Sequence, residues 1–218
     1  MAVKTRIIRI PPDTVVSDSN EEIAAILRRD GVLAFPTDTF YGLGVNAFSA
    51  AAVGKIYEIK KREQGKPLSV VVADFEAAKS VAADPPGVFR ILADEFWPGP
   101  LTLIVRAKPL FPAGMLGPGR TVAVRVPALT WLRKFLAECG FPLTATSANL
   151  SGGGEIDCAE VVRRAFDGLV DLIIDGGRTP GGAPSTIVDL TGPAPSVLRQ
   201  GAIPSERLRR AWDGSASR

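Results

Sequence analysis

Short apolar runs alternate with helical patterns along this sequence, and that alternation constrains the fold more than any other feature. The runs at residues 32–35, 68–73 and 101–107 have the length and composition of buried strands. A further strand at 121–127 follows the last of these runs after a turn region rich in proline and glycine. Because strands and helices are interleaved, while several strands follow one another through turns, the pattern favours an α/β fold with a mixed sheet and helices on its faces.

The other elements follow from the same periodicity and from turn and cap residues. Ser19 and Glu22 have the spacing of a capping box at a helix start, and Gly31 is expected to end that helix. The Gly-Leu-Gly sequence at 42–44 lacks the third glycine of a dinucleotide-binding fingerprint and is interpreted as a tight turn. Further strands are predicted at 6–10, 141–146, 169–174, 185–190 and 196–200, and further helices at 49–61, 74–83, 87–96, 128–139, 158–167 and after Ser205.

Length and composition fit one domain. The 218 residues are 46% hydrophobic and 22% charged, which is ordinary for a globular protein, and they contain no internal repeat or low-complexity linker. We therefore predict a single domain over residues 1–218, with a motif-bearing core at about 20–203. No apolar run approaches the roughly 20 residues that a membrane span needs. The N-terminus lacks the apolar region of a signal peptide, so we expect a cytoplasmic protein without membrane association.

The chain contains no histidine, which excludes a Ser-His-Asp triad and removes the commonest general base and zinc ligand. Its two cysteines, Cys139 and Cys158, cannot by themselves supply a metal cluster of the usual spacing. No metal-ligating residues are therefore predicted. The chemistry must depend on Lys, Arg, Ser, Thr, Asp and Glu side chains, or on positioning and charge neutralisation.

Positive charge is concentrated in two places, although the net charge is only +3. Residues 55–66 hold five basic and two acidic side chains, and residues 120–134 hold four basic and no acidic ones. Each run taken alone is typical of a solvated face. The two together also fit a site for a polyanion, and both interpretations remain open.

Polar residues interrupt apolar strand ends in four stretches, PTDTFYGLG (36–44), KKREQGKPL (60–68), TVAVRVP (121–127) and TSANLSG (146–152). Ser185 and Arg199 add a late pair, and Thr121 and Arg125 share one strand face at period two. Arg125 could be a surface charge, and 146–152 could be an ordinary Ser or Asx turn. The functional interpretation is that loops at strand ends converge on a ligand crevice, where several cations would suit a triphosphate.

Seven motifs, taken in order, resemble those of the YrdC-like family, which includes the threonylcarbamoyl-AMP synthases. They are PTDTFYGLG, KxR with KPL, WPGPLTLI (97–104), VAVRVP, TSANLSG, STIVDL and VLRQGAI (197–203). The resemblance implies an α/β fold with a twisted mixed sheet and flanking helices around a large, basic concave groove. Because the chain ends soon after VLRQGAI, it resembles the short single-domain members, and the extra C-terminal domain of longer members is expected to be absent.

The resemblance also implies an activity, namely condensation of L-threonine, bicarbonate and ATP to threonylcarbamoyl-AMP and pyrophosphate by a nucleotidyltransferase. The product would pass to a threonylcarbamoyltransferase complex that modifies tRNA. The implied ATP-binding residues are Lys60, Arg62, Lys66, Thr121, Ser147, Asn149 and Arg199, of which Lys60 and Arg62 would be catalytic. The implied threonine-binding residues are Thr39, Arg125 and Ser185. Mg²⁺ is expected to accompany the triphosphate, bridging its oxygens with few protein ligands.

Three positions depart from the family pattern. Glu63 stands where many members have proline directly after KxR, Thr146 where some have proline before the SAN sequence, and Pro184 where glutamate often precedes STIVDL. These departures affect the expected loop geometry around Lys66 and Ser185.

Two classes of function remain at this stage. A binding module for double-stranded RNA or tRNA, without nucleotide turnover, needs positive charge but no threonine pocket. Arg125 beside Thr121 and Ser185 favours the enzyme. Lys60 and Arg62 lie at the predicted C-terminal end of a helix, where cations favour the helix dipole, so alanine at either position is expected to cost little stability.

Overall fold

Eleven strands and seven α-helices form the part of the chain that the structure, a computed structural model, describes: residues 4–15, 17–149 and 153–213. The strands are β1 (Arg6–Arg9), β2 (Leu33–Phe35), β3 (Gly42–Gly44), β4 (Ser69–Val71), β5 (Leu101–Arg106), β6 (Thr121–Arg125), β7 (Leu143–Thr144), β8 (Thr146–Ser147), β9 (Leu172–Asp175), β10 (Thr186–Asp189) and β11 (Ser196–Arg199). The helices are α1 (Asn20–Arg28), α2 (Ala50–Lys60), α3 (Phe75–Val81), α4 (Gly87–Phe96), α5 (Thr130–Cys139), α6 (Ala159–Phe166) and α7 (Ser205–Asp213). A short 3₁₀ helix spans Ala113–Met115.

The predicted α/β class with mixed strand directions is confirmed, but the strands form two sheets and not one. The first sheet has the order β1-β9-β2-β3-β8, and the second has the order β11-β10-β5-β6-β4-β7. Each sheet contains parallel and antiparallel neighbours, for example β2 with β9 and β2 with β3 in the first sheet. Among the described helices, none is long and apolar enough to cross a bilayer.

The division into two sheets occurs within the segment predicted as one strand at 141–146. β7 pairs with β4 in the second sheet, whereas β8 pairs with β3 in the first. Between them, Ala145 donates its backbone N–H to Ser69 O at 2.7 Å. Sequence periodicity could not reveal this change of partner, because both halves of the segment have the composition of a strand.

Glycine at 42–44 serves strand packing, so the predicted tight turn is wrong. The segment is β3, paired with β2 on one side and β8 on the other. A Cβ atom at Gly44 would lie 2.6 Å from the Phe35 ring and 2.7 Å from Thr144 O, closer than packed atoms approach. Gly44 therefore allows Phe35 and the β7 backbone to lie directly against β3.

The predicted capping box at the start of α1 is also wrong. Ser19 occupies the N-cap position, but its side chain makes no capping hydrogen bond. Glu22 forms an ion pair with Arg6 of β1 instead. At the other end, Asp30 adopts the left-handed conformation (φ 61°), and Gly31 is needed because a Cβ there would lie 2.7 Å from Ile26 O.

Apolar residues pack on both faces of the sheets, as strand alternation requires. In β2, Leu33 and Phe35 face α1 and α5, whereas Ala34 faces the larger core that the two sheets share. In the second sheet, Leu103 and Val124 belong to that larger core. Their alternate neighbours on β5 and β6 are left to form the floor of a cavity, which contains the candidate site.

Candidate functional site

A cavity of about 630 Å³ lies against one face of the second sheet. Its floor is made of alternate residues from three neighbouring strands, namely Thr102 and Ile104 of β5, Thr121, Ala123 and Arg125 of β6, and Ile187 and Asp189 of β10. Its walls come from the loop after β2, from residues 145–147 and from residues 198–199. The prediction placed the crevice at strand ends; the structure uses those loops only as walls and the face of the sheet as the floor. The volume falls in the usual range for small-molecule sites, about 300–1,000 Å³.

Arg125 is buried and joins the two sheets across this cavity. Its side chain is only 9% exposed, and its Nε donates to Gly99 O at 3.0 Å. Its Nη1 donates to Thr39 Oγ1 at 3.2 Å, and its Nη2 lies 2.7 Å from Asp38 Oδ1. The alternative that Arg125 is a surface charge is therefore wrong. A desolvated guanidinium at a cavity wall is suited to bind a carboxylate or phosphate.

Ser185 and Arg199 are in direct contact. Arg199 donates to Ser185 O from Nε at 3.1 Å and from Nη2 at 2.8 Å, and Nη2 also lies 3.1 Å from Ser185 Oγ. The Ser185 hydroxyl is 2.8 Å from Thr102 Oγ1. Burial lowers the pKa of the Arg199 guanidinium, with Glu155 opposing the shift and Arg125 adding to it. One residue of each predicted ligand group therefore lies on the same stretch of cavity wall.

Arg62 lines the cavity, but Lys66 does not. Arg62 donates from Nη2 to Pro67 O at 3.1 Å, which holds its guanidinium over the start of β4. Lys66 forms an exposed ion pair with Glu63 at 2.9 Å, which also lowers the pKa of the Glu63 carboxyl. The departure from proline at position 63 therefore supplies a carboxylate that engages Lys66 away from the cavity wall.

Lys60 lies beneath the 146–149 segment, not on the cavity wall, and its side chain is almost completely buried. Its ammonium donates to Ser147 O and Asn149 O, both at 2.5 Å, and to Asn149 Oδ1 at 3.1 Å. Burial lowers the pKa of Lys60 to about 8; Arg62 acts in the same direction and Glu155 opposes it. The described contacts give Lys60 the geometry of an anchor for this loop.

Ser147 lines the cavity, whereas Asn149 organises the loop behind it. The Ser147 hydroxyl donates to Asn149 Oδ1 at 2.7 Å, and Asn149 Nδ2 donates to Gly153 O at 2.5 Å and to Gly154 O at 3.1 Å. Residues 150–152 of the predicted motif lie outside the described residues. The segment is therefore more than an ordinary Ser or Asx turn, because a buried lysine fixes it from below.

Of the ten predicted site residues, seven line the cavity: Thr39, Arg62, Thr121, Arg125, Ser147, Ser185 and Arg199. Sequence reasoning missed the acidic side chains nearby. Glu155 and Asp189 line the cavity, and Asp38 lies directly against Arg125. Among the described residues, the cavity thus holds three lining arginines and two lining carboxylates. It is therefore positively charged only near the arginines, and not throughout, as a basic groove would be. Asp38 could have been found from its place inside PTDTFYGLG, but Glu155 follows a glycine run with no recognisable pattern.

The lining carboxylates do not form a protein-held metal centre. Among the described residues, no group of three or more His, Cys, Asp or Glu side chains could hold a metal ion. Glu155 and Asp189 each supply oxygen donors of the kind that Mg²⁺ accepts. This donor set fits an ion that arrives with phosphate oxygens, and not one held by the protein alone.

Lys60 gives the stability of the protein a predictable dependence on pH. Its pKa is about 8 in the folded chain and 10.5 ordinarily, so the unfolded state binds more protons between these values. Stability contributed at this site should therefore rise as pH increases from about 8 to 10.5. Urea unfolding of the wild type and of Lys60→Met at half-unit intervals measures this, since the variant lacks the titrating group.

Between about pH 8 and 10.5, the unfolding free energy of the wild type minus that of Lys60→Met should increase with pH. Lys134→Met is the matched control, because Lys134 is exposed on α5 and away from the cavity. Parallel profiles for wild type and Lys60→Met would show that Lys60 titrates as it does in the unfolded chain.

These features define an α/β protein with a small-molecule cavity in which buried and half-buried arginines, threonines and serines converge. Residues 25–201 match the Sua5/YciO/YrdC family model (Sua5_yciO_yrdC), described as telomere recombination. The match covers most of the chain, and the chain belongs to this family.

Two curated relatives are named threonylcarbamoyl-AMP synthase. The one from Pyrococcus abyssi is 40% identical over 86% of this chain and 55% of its own length, and the one from Bacillus subtilis is 41% identical over 86% and 54%. The chain thus spans about half the length of these relatives. The crystal structure of P. abyssi Sua5 complexed with L-threonine superposes with a TM-score of 0.90 at 38% identity, covering 95% of this chain and 61% of that one.

Proposed function

We propose that this chain is a nucleotidyltransferase that makes threonylcarbamoyl-AMP from L-threonine, bicarbonate and ATP, with release of pyrophosphate. The contact between Arg199 and Ser185 carries the proposal, because it brings a predicted ATP residue against a predicted threonine residue on one cavity wall. Two reactants that must meet need adjacent subsites. The names of the curated relatives, and the L-threonine in the similar P. abyssi Sua5 structure, support the same activity.

The proposed reaction needs positioning and charge neutralisation more than a proton-transfer residue. The threonine amine combines with bicarbonate to give a carbamate and water, and a carbamate oxygen then attacks the α-phosphorus as the bond to pyrophosphate breaks. Because the carbamate is already an anion, the attack needs no histidine. Arg125, with Thr39, would hold the threonine carboxylate. Arg62 and Arg199 would neutralise charge on the triphosphate, where such clamps supply most of the rate enhancement.

The remaining predicted residues would act around these arginines. Thr121 and Ser147 present hydroxyl groups to the cavity and would bind ATP oxygens directly. Lys60 and Asn149 would act by fixing the Ser147 loop, and Lys66 would require release from Glu63 to reach a phosphate. Mg²⁺, when bound, would neutralise phosphate charge. Glu155 and Asp189, whose carboxylates line the cavity, are the residues that would hold it together with the phosphate oxygens. The product would serve tRNA modification by a threonylcarbamoyltransferase complex in the cytoplasm.

Burial of the cations distinguishes this proposal from an RNA-binding module. Arg125 is only 8% exposed, and Lys60 is 1% exposed. A nucleic acid backbone is bound through cations that reach the surface and release counterions. Neither side chain reaches the surface as such binding requires, and Arg125, which lines the cavity, favours a small anionic ligand inside it. Affinity for RNA or tRNA with a steep salt dependence, without nucleotide turnover, would support the binding module instead.

Pyrophosphate release from ATP should require both L-threonine and bicarbonate and should not require tRNA. The experiment measures release with all reactants, with each one omitted, and with EDTA added. Equal release without threonine or without bicarbonate, or none with both present, would contradict the proposed activity. Unchanged release in EDTA would contradict the expected need for Mg²⁺ and leave the activity itself intact.

A further inference from the structure

Asp38 is a carboxylate that the predicted site residues leave out, although it lies directly against the most buried arginine of the cavity. Its Oδ1 is 2.7 Å from Arg125 Nη2, and its side chain is 14% exposed. The two atoms form a largely buried ion pair, and neither has another hydrogen-bond partner among the described residues. A buried ion pair is costly to desolvate, so its position beside the cavity indicates a use.

The loop that carries Asp38 is fastened internally, so it can serve as a rigid support. Thr37 Oγ1 donates to Phe40 O at 2.7 Å, and it accepts the backbone N–H of Thr39 at 3.1 Å. Thr39 Oγ1 in turn accepts from Arg125 Nη1. Two consecutive residues of one fixed loop, Asp38 and Thr39, therefore hold two different nitrogens of the same guanidinium.

The other contacts of Arg125 show what Asp38 adds. A guanidinium has five N–H groups in a planar fork. Gly99 O uses one and Thr39 Oγ1 uses another, and Asp38 Oδ1 faces Nη2 as an ion-pair partner. Two N–H groups therefore remain, one on Nη1 and one on Nη2. Asp38 neutralises the buried charge and fixes the guanidinium while these two groups stay open for a ligand.

We propose that Asp38 is a positioning residue for the amino-acid substrate, acting through Arg125: it holds the guanidinium at the angle that receives the substrate carboxylate. This inference rests on the proposed function for the identity of the substrate. Asp38 holds the Arg125 guanidinium in its binding orientation before the ligand binds, which reduces the conformational entropy lost on binding.

Asp38→Asn should raise the KM for L-threonine about tenfold while the KM for ATP stays within about twofold. The reason is that Arg125, no longer held by a carboxylate, would form a weaker charge-assisted contact with the threonine carboxylate. Asp94→Asn is the matched control, because Asp94 pairs with Arg90 at the same 2.7 Å distance on the exposed side of α4. An unchanged or lower KM for threonine would overturn the proposal, as would an equal rise for ATP. A general structural defect would raise both.

A second measurement decides the matter even if Asp38→Asn folds poorly. Because Asp38 acts through Arg125, adding Asp38→Asn to Arg125→Met should leave the calorimetric Kd for L-threonine unchanged. A further loss in the double variant would overturn the positioning role. Threonine binding by the wild type without pyrophosphate release would count against the proposed function alone. A wild-type threonine affinity that Asp38→Asn does not alter would count against Asp38 alone.

Discussion

Lys60→Met is expected to lower kcat/KM for ATP about a hundredfold, although Lys60 does not lie on the cavity wall. The ammonium holds Ser147 O and two oxygens of Asn149, and Ser147 is the member of that loop that lines the cavity. Methionine has similar length and no donor, so these oxygens would turn toward water and move Ser147 with them. A displacement of about 1 Å in a positioning group can reduce a rate on the order of a hundredfold. Steady-state pyrophosphate release measures the effect.

The loop itself provides the distinguishing measurement for Lys60. Amide hydrogen exchange over residues 145–149 and 153–155 should become faster in Lys60→Met, because loss of the anchor exposes backbone that is otherwise held. Lys134→Met should change neither exchange there nor kinetics. A variant with kcat/KM for ATP within about threefold of wild type would show that the loop holds its shape without Lys60. Slow exchange combined with lost activity would instead support direct contact between Lys60 and ATP.

Lys60 also shows where sequence reasoning about this chain reached its limit. Its position at the end of α2 is correct, and a cation there favours the helix dipole. From that position alone, little stability should depend on it. Which way the side chain points depends on residues 147 and 149, almost ninety positions later in the chain. Periodicity describes a helix and its exposed or buried face, but it does not supply the partner from a distant loop.

The fold was largely predictable, because the strands and helices have clear apolar periodicity and recognisable ends. The helix predicted at 49–61, for example, is α2, and Ser49 caps it by accepting the N–H of Ala52. The second sheet was not predictable, because the partner change at Ala145 involves no change in local composition. The cavity floor was predictable in part: Thr121 and Arg125 share a strand face, as period two requires. The acidic side chains were missed: Asp38 lies inside a recognisable motif, but its pairing with Arg125 depends on how the loop after β2 packs against β6.

Together these contacts divide the motif residues into those that line the cavity and those that support the lining residues from behind. Arg62, Arg125 and Arg199 line the cavity, whereas Asp38 and Lys60 lie behind its lining. Lys60 is buried and Asp38 is partly buried, and each contacts a cavity-lining residue of opposite or complementary chemistry. Because supports and wall residues come from different elements, the geometry of the cavity depends on the whole fold and not on one motif. Substitution at a support should therefore affect one substrate selectively, according to the wall residue that it holds.

Arg125→Met is expected to weaken L-threonine binding about ten- to a hundredfold while ATP binding stays within about threefold. The contact that we propose would be lost is a charge-assisted bond to the threonine carboxylate, worth about 1.5–3 kcal/mol. Arg125 lies on the cavity floor and is buried, so water cannot replace its hydrogen bonds to the ligand. Calorimetric titration with each ligand separately measures both affinities. Arg106→Met, at an exposed arginine of neighbouring β5, is the matched control and should change neither.

The arginine also contributes to stability, and its removal must be separated from its effect on binding. Removing one partner of a buried ion pair costs about 3–5 kcal/mol, because the other charge is left unpaired, here Asp38. The double variant Arg125→Met/Asp38→Asn removes that stranded charge and should recover part of the lost stability without recovering threonine binding. Recovery of threonine binding together with stability would show that Arg125 supports the fold and does not bind the substrate. Loss of ATP binding with threonine affinity intact would reverse the assignment of Arg125 between the two ligands.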